Sequence, residues 1–568
     1  MKTSTDVNTK NLWGFPQLSL RALCLSALGS ILITASSMYV ALRMSALPWP
    51  TVFVAILSMA VLRLLGKTNI HEINIAKTGM SAGAMIAGGV AFTLPGLWLT
   101  GIFQPFDSSK ETLQQWLIPK FFPILGVTLA GTLLGTLLCW LLRHFYLARL
   151  KLDYPIGQAA GETLKAAEAG GSSAKTMFGS LGFATLFTIL RDAPATFGGN
   201  TLMPARFSSN IRGFSVGLEY SPMAIAIGYL IGFPATLYWF LGAILSQWLI
   251  LNLAVQWGWF ASAELASSFN FTAAVGLMVG AGCGIVLHFI YTLLRNKQIA
   301  TETTESENLA KLKSTGKATS ILRVALLVLA YGLILFSGLP WYVGILLCVG
   351  VAFATAMSAT ITGQTGVNPM EIFAIIVLLF VRIFCDVEPY IALLVTGVVA
   401  VACGYAGDLM NDYKAGVMLQ TDPNSQMVSE IVGGVVGAFV AVLGLFAIIY
   451  QYGGVGGDTG LTAVQAQTVT TMVSGIGDQT VFFSSLAVGC VLFLCKVPAM
   501  IIGIGMLLGM PMSTAVFVGG VAQLIVKRLA LKQEQSTLEH NGQLVAAGLL
   551  GGEGITGTVL AILSMILG

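Results

Sequence analysis

Apolar runs of about 20 residues, separated by short polar breaks, make up most of this chain. Before residue 295 they lie near 21–42, 50–65, 77–100, 119–142, 175–191, 214–232, 235–253 and 272–294. After residue 317 they lie near 321–338, 342–357, 371–385, 390–406, 427–450, 490–508, 512–526 and 553–567. Between the two sets sits RNKQIATETTESENLAKLKSTGK (295–317), which is too polar to cross a bilayer. Segment 463–486 fits neither class. The pattern predicts an all-α polytopic membrane protein of about 16 transmembrane helices. They fall into two homologous eight-helix halves with re-entrant or broken segments. The first half is 1–294, the cytoplasmic charged linker 295–319, and the second half 320–568. The short alternating segments of a membrane β-barrel are not found.

The halves share a signature. IGYLIGFPATLYWFLG (227–242) matches IGMLLGMPMSTAVFVG (504–519) without gaps. Gly232 and Pro234 stand opposite Gly509 and Pro511, so a helix breaker recurs at one place in each half. Internal repeats are characteristic of secondary transporters, whose substrate sites lie where the repeats meet. Eight helices per half would give both repeats the same orientation.

Composition supports the class. The chain has 568 residues, 56% hydrophobic and 10% charged, against about 25% charged in soluble domains. Its mean hydropathy is +0.83. Net charge is +4, which reflects loop bias and calls for no nucleic-acid partner. Arg63, Lys67, Arg143, Arg149, Lys151 and Arg295 fall on one side, which is then cytoplasmic. The N-terminus lies on that side, before a retained first helix, in a bacterial plasma (inner) membrane. Lys527, Arg528 and Lys532 would face outward, against the rule. The eight cysteines form no CxxC, disulfide framework or zinc spacing.

Polar interruptions mark candidate sites. TNIHEINIAKTG (68–79) opens one helix, and LDYPIGQAAGETLKAAEAGG (152–171) is amphipathic and too polar to span. In the second half TGQTGVNPMEIF (362–373) precedes GYAGDLMNDYKAGVMLQTDPNSQM (404–427). Broken backbone at membrane depth is tolerated only inside protein or along a watery cavity, where it becomes a ligand. Asn368 fits a helix cap, Pro369 the first helical position and Glu371 the first turn. An acidic side chain at a helix centre costs about 2.5–3.5 kcal/mol on insertion scales, so it faces a cavity or a partner. Glu371, Asp408 and Glu430 are therefore proton-coupling candidates, with Glu72 and Glu162 as first-half counterparts. Asp386 and Glu388 with Arg382, and Arg191 with Asp192, read as structural charge clusters.

Enzyme constellations do not occur. The four histidines form no HExxH, and no Walker lysine motif is present. The chain is not expected to be an enzyme, to hold a metal or to need a cofactor. An ion gradient is the remaining energy source.

The stretches SMYVALRM, NIHEINIAKTGMSAGAMIAGGVAFTLPGLWLTG, LDYPIGQAAGETLKA, GYAGDLMNDYKAGVMLQTDPNSQM and GGEGITGTVLAIL resemble the oligopeptide transporter (OPT) family along nearly the whole chain. The resemblance is to a bacterial member of the family, related to the yellow-stripe-like branch. The resemblance implies duplicated halves and proton-driven symport of small oligopeptides or of peptide-like or metal-chelate solutes. It also implies that Glu72, Asn74, Thr78, Asp412 and Lys414, with Asp408, Gly416 and Gln426, surround the substrate path. Gln364, Thr365, Asn368 and Glu371 join them as substrate-binding candidates. The partners expected are a peptide or chelate solute, the lipid bilayer, and a second copy of the chain in a homodimer. A passive channel is the alternative reading, and a membrane-embedded enzyme the less favoured one.

Overall fold

In the computed structural model, ten helices among the described residues are long and apolar enough to cross a membrane. The structure describes residues 15–44, 47, 51–150, 152–168, 173–196, 202–211, 213–295, 317–365, 368–456, 459, 461–474, 478–529 and 535–567. The linker expected at 295–319 lies almost wholly outside the described residues. The all-α expectation needs one correction. An antiparallel hairpin, Arg206–Ile211 with Phe214–Glu219, occupies the start of the helix expected at 214–232. Ile211 pairs with Phe214, and Gly213 in the two-residue loop takes φ +87°, a conformation suited to glycine.

Local signals set the helix ends. Asn69 caps helix Ile70–Ala91 by accepting from the Glu72 amide at 2.8 Å. Asp422 caps helix Pro423–Tyr452 by accepting from the Ser425 amide at 2.7 Å, with Pro423 in the first turn. Helix Pro389–Leu419 ends on Gln420 at φ +60°. The polar stretches 68–79 and 404–427 are thus mostly helix. Glu72, Asp408 and Asp412 sit on regular helical backbone.

TGQTGVNPMEIF also departs from expectation. Helix Trp341–Thr365 runs through Gln364 and Thr365, and the next helix is Met370–Phe384. Pro369 takes the cap position, with no side-chain cap bond, instead of the first helical one. Asn368 does not cap. Its amide donates to the Cys403 carbonyl at 2.8 Å and accepts from Ser358 Oγ at 2.8 Å. A tertiary bond has taken the side chain that local geometry offered to the helix start.

The helix expected at 490–508 is two, Gln479–Leu494 and Ala499–Leu508. Both copies of the repeated Gly-x-Pro are helix breaks. Gly232, at φ +88°, separates Pro222–Ile231 from Phe233–Ile244. Gly509, at φ +77°, separates Ala499–Leu508 from Met510–Leu529. Residues with a side chain rarely adopt this backbone. The broken helices pack on each other with exchanged partners. A Cβ on Gly228 would strike the Val516 carbonyl, and one on its counterpart Gly505 would strike the carbonyl of Trp239, the counterpart of Val516. Gly242 and Gly519 exchange Ile502 and Ile225 in the same way.

The two breaks are entered from opposite ends of the bundle. Ser221 and Met223, at the start of Pro222–Ile231, bond Glu553 near the hairpin. Helix Ala499–Leu508 runs the other way. Asn270 reaches the Met506 carbonyl at 3.4 Å, while Gly503 packs on Ala274 and Met278 further along Ala263–Arg295. The repeated segments were expected to share one orientation and here run in opposite ones. Which ends pack together decides direction, and a sequence match carries no such information. Helices from the two halves of the chain interleave. Helix 70–91 packs on 389–419 and 423–452, Ser173–Thr196 on Gln535–Leu567, and 263–295 on 479–494.

Candidate functional site

Helix 70–91 meets 389–419 and 423–452 around a buried group of charges. One carboxylate oxygen each from Asp408, Asp412 and Glu430 lies within 4.8 Å of the others. Glu430 is fully buried, and Asp408 and Asp412 are 3% and 1% exposed. Helical spacing explains the pair on one helix, since residues four apart share a face. Close packing brings in the third: a Cβ on Gly433 would strike the Gly79 carbonyl. No larger residue fits there without moving a helix.

Among the described residues, a single ammonium answers these carboxylates. Lys77, fully buried, forms an ion pair with Asp412, which also accepts from Ser81 Oγ at 3.1 Å. Asp408 Oδ2 and both Glu430 oxygens have no hydrogen-bond partner among the described residues. Sequence reasoning passed over Lys77. Its signal was available, as a lone lysine inside the apolar run 73–91.

The other expected site residues divide. Gln426 donates to Thr78 Oγ1 at 3.1 Å and to the Asp412 carbonyl at 2.9 Å, and Asn74 donates to Thr421 Oγ1 at 3.2 Å. Asn74, Thr78 and Asp412 thus belong to one neighbourhood. Glu72 lies apart, held by both nitrogens of an Arg21 fork (2.8 and 3.2 Å), Ser19 (2.5 Å) and Thr68 (2.7 Å). Lys414 donates to the Leu152 carbonyl at 3.0 Å. Glu371 is buried in the first turn of its helix and is not part of the carboxylate group. The side chains of Gln364 and Thr365 lie outside the described residues.

Both structural charge clusters change. Arg382 donates to the Met472 and Val473 carbonyls (3.1 and 2.9 Å) and makes no ion pair with Asp386 or Glu388. Arg191 does pair with Asp192, at 2.6 Å, but also with buried Glu553 at 2.9 Å. Glu553 further accepts from Ser221 and from the Met223 amide at 2.8 Å. Arg43 joins through Glu219 at 2.7 Å and Glu553 at 3.8 Å. These charges border a cavity of about 700 Å³ at the hairpin end of the bundle. It lies near the far end of helix 423–452 from Glu430. The 22 residues from Glu430 to cavity-lining Tyr452 span about 33 Å of helix. Sequence reasoning missed this cavity, because its residues come from six separate stretches.

A many-helix membrane bundle with broken helices, a charge-lined cavity and ionisable groups at depth has the makings of a solute transporter. The family profile described as OPT oligopeptide transporter protein matches residues 17–564. The chain therefore belongs to the OPT oligopeptide transporter family, and it is a transporter rather than an enzyme. It is similar to a Haemophilus influenzae protein provisionally named an oligopeptide transporter. The two are 26% identical over 605 residues, covering 93% of this chain and 92% of that one.

Proposed function

We propose that this protein is a proton-coupled importer of small peptides. The observation that carries the reading is the charge count around Lys77. Three buried carboxylates face one ammonium, and an isolated ion in a medium of low dielectric is strongly disfavoured. Ion pairing with Lys77 balances one of them. The other two need protons or a cation, so proton binding changes the charge that the three helices hold between them. Asp408 and Glu430, with unpartnered oxygens, are the proton carriers in this reading, and Glu371 is a separate acidic group on the path. The Lys77–Asp412 pair ties helix 70–91 to 389–419, so the charge state of the group bears on how those helices pack. The basic residues near Arg21 and Lys67 put that end in the cytoplasm and the cavity on the outer face.

Uptake of labelled trialanine into proteoliposomes tests this. An inward proton gradient should drive accumulation above the outside concentration, and a protonophore should abolish it. Asp408→Asn and Glu430→Gln should lose accumulation while keeping exchange of internal for external peptide. Flux that never exceeds equilibrium would make the protein a passive channel. Competition by a metal chelate but not by peptides would reassign the cargo.

A further inference from the structure

We propose that the cavity beside the hairpin is a binding site for a short zwitterionic peptide. It would hold the free carboxylate at Arg206 and Arg43 and the free ammonium at Asp192 and Glu219. The inference rests on the peptide-transport reading and adds the ligand's recognised ends and the residues that recognise them.

Size and charge both point to this ligand. About 700 Å³ lies within the ~300–1,000 Å³ of pockets that enclose small molecules. The wall carries both signs: Arg43, Arg191 and Arg206 against Asp192 and Glu219. Glu553 behind it completes the balance through its bonds to Arg191 and Arg43. A balanced wall with separated charges favours a solute that is itself neutral overall but charged at its two ends. A polyanion or polycation would meet as much repulsion as attraction.

The arginines are not equally committed. Arg191 is fully engaged, with Asp192, Glu553 and the Tyr220 carbonyl at 2.6 Å. Arg206, on the exposed strand, has no ion-pair partner among the described residues. Arg43 Nε is buried without a hydrogen-bond partner among them, as is Thr462 Oγ1 on the same wall. A guanidinium presents a fork that matches a carboxylate, so Arg206 is the natural first contact. The second helix break adds to this. Leu508, Pro511 and Met512 line the cavity, so helix 510–529 begins at its wall, where free amides favour an anion. Glu219 holds Arg43 through Oε1. An incoming ammonium competes for the same carboxylate, so ligand binding loosens the bond between the hairpin and helix 20–44.

Binding to purified full-length protein tests the inference, with trialanine, N-acetyl-trialanine and trialanine amide as probes. Trialanine should bind at least tenfold tighter than either blocked form. Arg206→Ala should shrink the preference for acid over amide to less than threefold while leaving the N-acetyl penalty in place. Arg206 is exposed and has no ion-pair partner among the described residues, so this variant should fold normally. Equal affinity for all three probes, no binding by any of them, or full acid–amide discrimination in Arg206→Ala would each overturn the proposal. Asp408→Asn separates the two readings. It should keep the binding pattern, and if it also keeps proton-driven uptake the coupling assignment alone fails.

Discussion

Phe240 and Phe517 stack with ring centroids 4.7 Å apart and planes 13° from parallel, and they occupy the same position in the two repeated segments. A residue that meets its own counterpart lies close to an axis relating the segments. The exchanged glycine contacts on either side have the same cause. Segments entering from opposite ends and crossing there place like against like.

The glycines at this crossing should tolerate no side chain. Gly228→Ala and Gly505→Ala each set a Cβ against a carbonyl and should cost about 1–3 kcal/mol, to similar extents. Thermal unfolding in detergent measures the loss. Gly179→Ala, on a helix face with open space, should be neutral or slightly stabilising.

Lys77→Met leaves Asp412 buried without its cation. Breaking a buried pair from one side costs about 3–5 kcal/mol. Adding Asp412→Asn should recover most of the lost melting temperature, because no uncompensated charge then remains at that position. Lys77→Met alone melting like the parent protein would mean the pair contributes nothing.

Glu553 and Glu219 should differ in consequence. Glu553 is fully buried and accepts from Arg191, Ser221 and the Met223 amide, whereas Glu219 holds Arg43 at the cavity edge. Glu553→Gln should therefore lower the melting temperature more than Glu219→Gln. Trialanine affinity should fall in Glu219→Gln even where its stability is close to the parent's.

Asn368→Ala removes one partner each from the Cys403 carbonyl and Ser358, which still meet each other at 3.0 Å, so the loss should be that of the lost bonds, about 0.5–1.5 kcal/mol each. Asn368→Asp should be worse. It removes the donor and sets an anion against a carbonyl next to Gly407 and Asp408. Melting temperature and trialanine uptake in the two variants check the order.

Asp107 supplies a prediction for pH. On an exposed loop it accepts from Ser109 Oγ and its amide and pairs with Lys110 at 2.9 Å. The Ser109 bond, then Lys110, hold its carboxyl down at about 2. A depressed carboxyl keeps its contribution above the ordinary carboxylate range and loses it as pH falls through about 2. The Asp107 carboxyl ¹³C shift should accordingly stay flat from pH 7 to 4, through the range where an ordinary aspartate titrates.

Much of the site was legible residue by residue. Asp408 and Glu430 were named from type and setting, since acidic groups in apolar runs are costly and seldom idle, whereas Asp412, Asn74 and Thr78 were named from the family resemblance. Their common neighbourhood was not, because 70–91, 389–419 and 423–452 meet only on folding. Asn368 shows the opposite failure. Local rules gave it a cap, and a carbonyl on a distant helix took it instead. Arg43, Glu219 and Glu553 are single charges with no local pattern, so nothing in the sequence joined them.

Sequence alone determined that this chain is a helical membrane protein, placed its breaks at Gly232 and Gly509, and carried the family resemblance. These follow from local causes: runs long enough to span, glycines at backbone angles that side chains avoid, and many matched positions. Tertiary structure alone decided the opposite entry of the repeated breaks, the partner of each buried charge and the cavity. Those depend on which helix faces meet, and a face acquires its chemistry only from the residues packed against it.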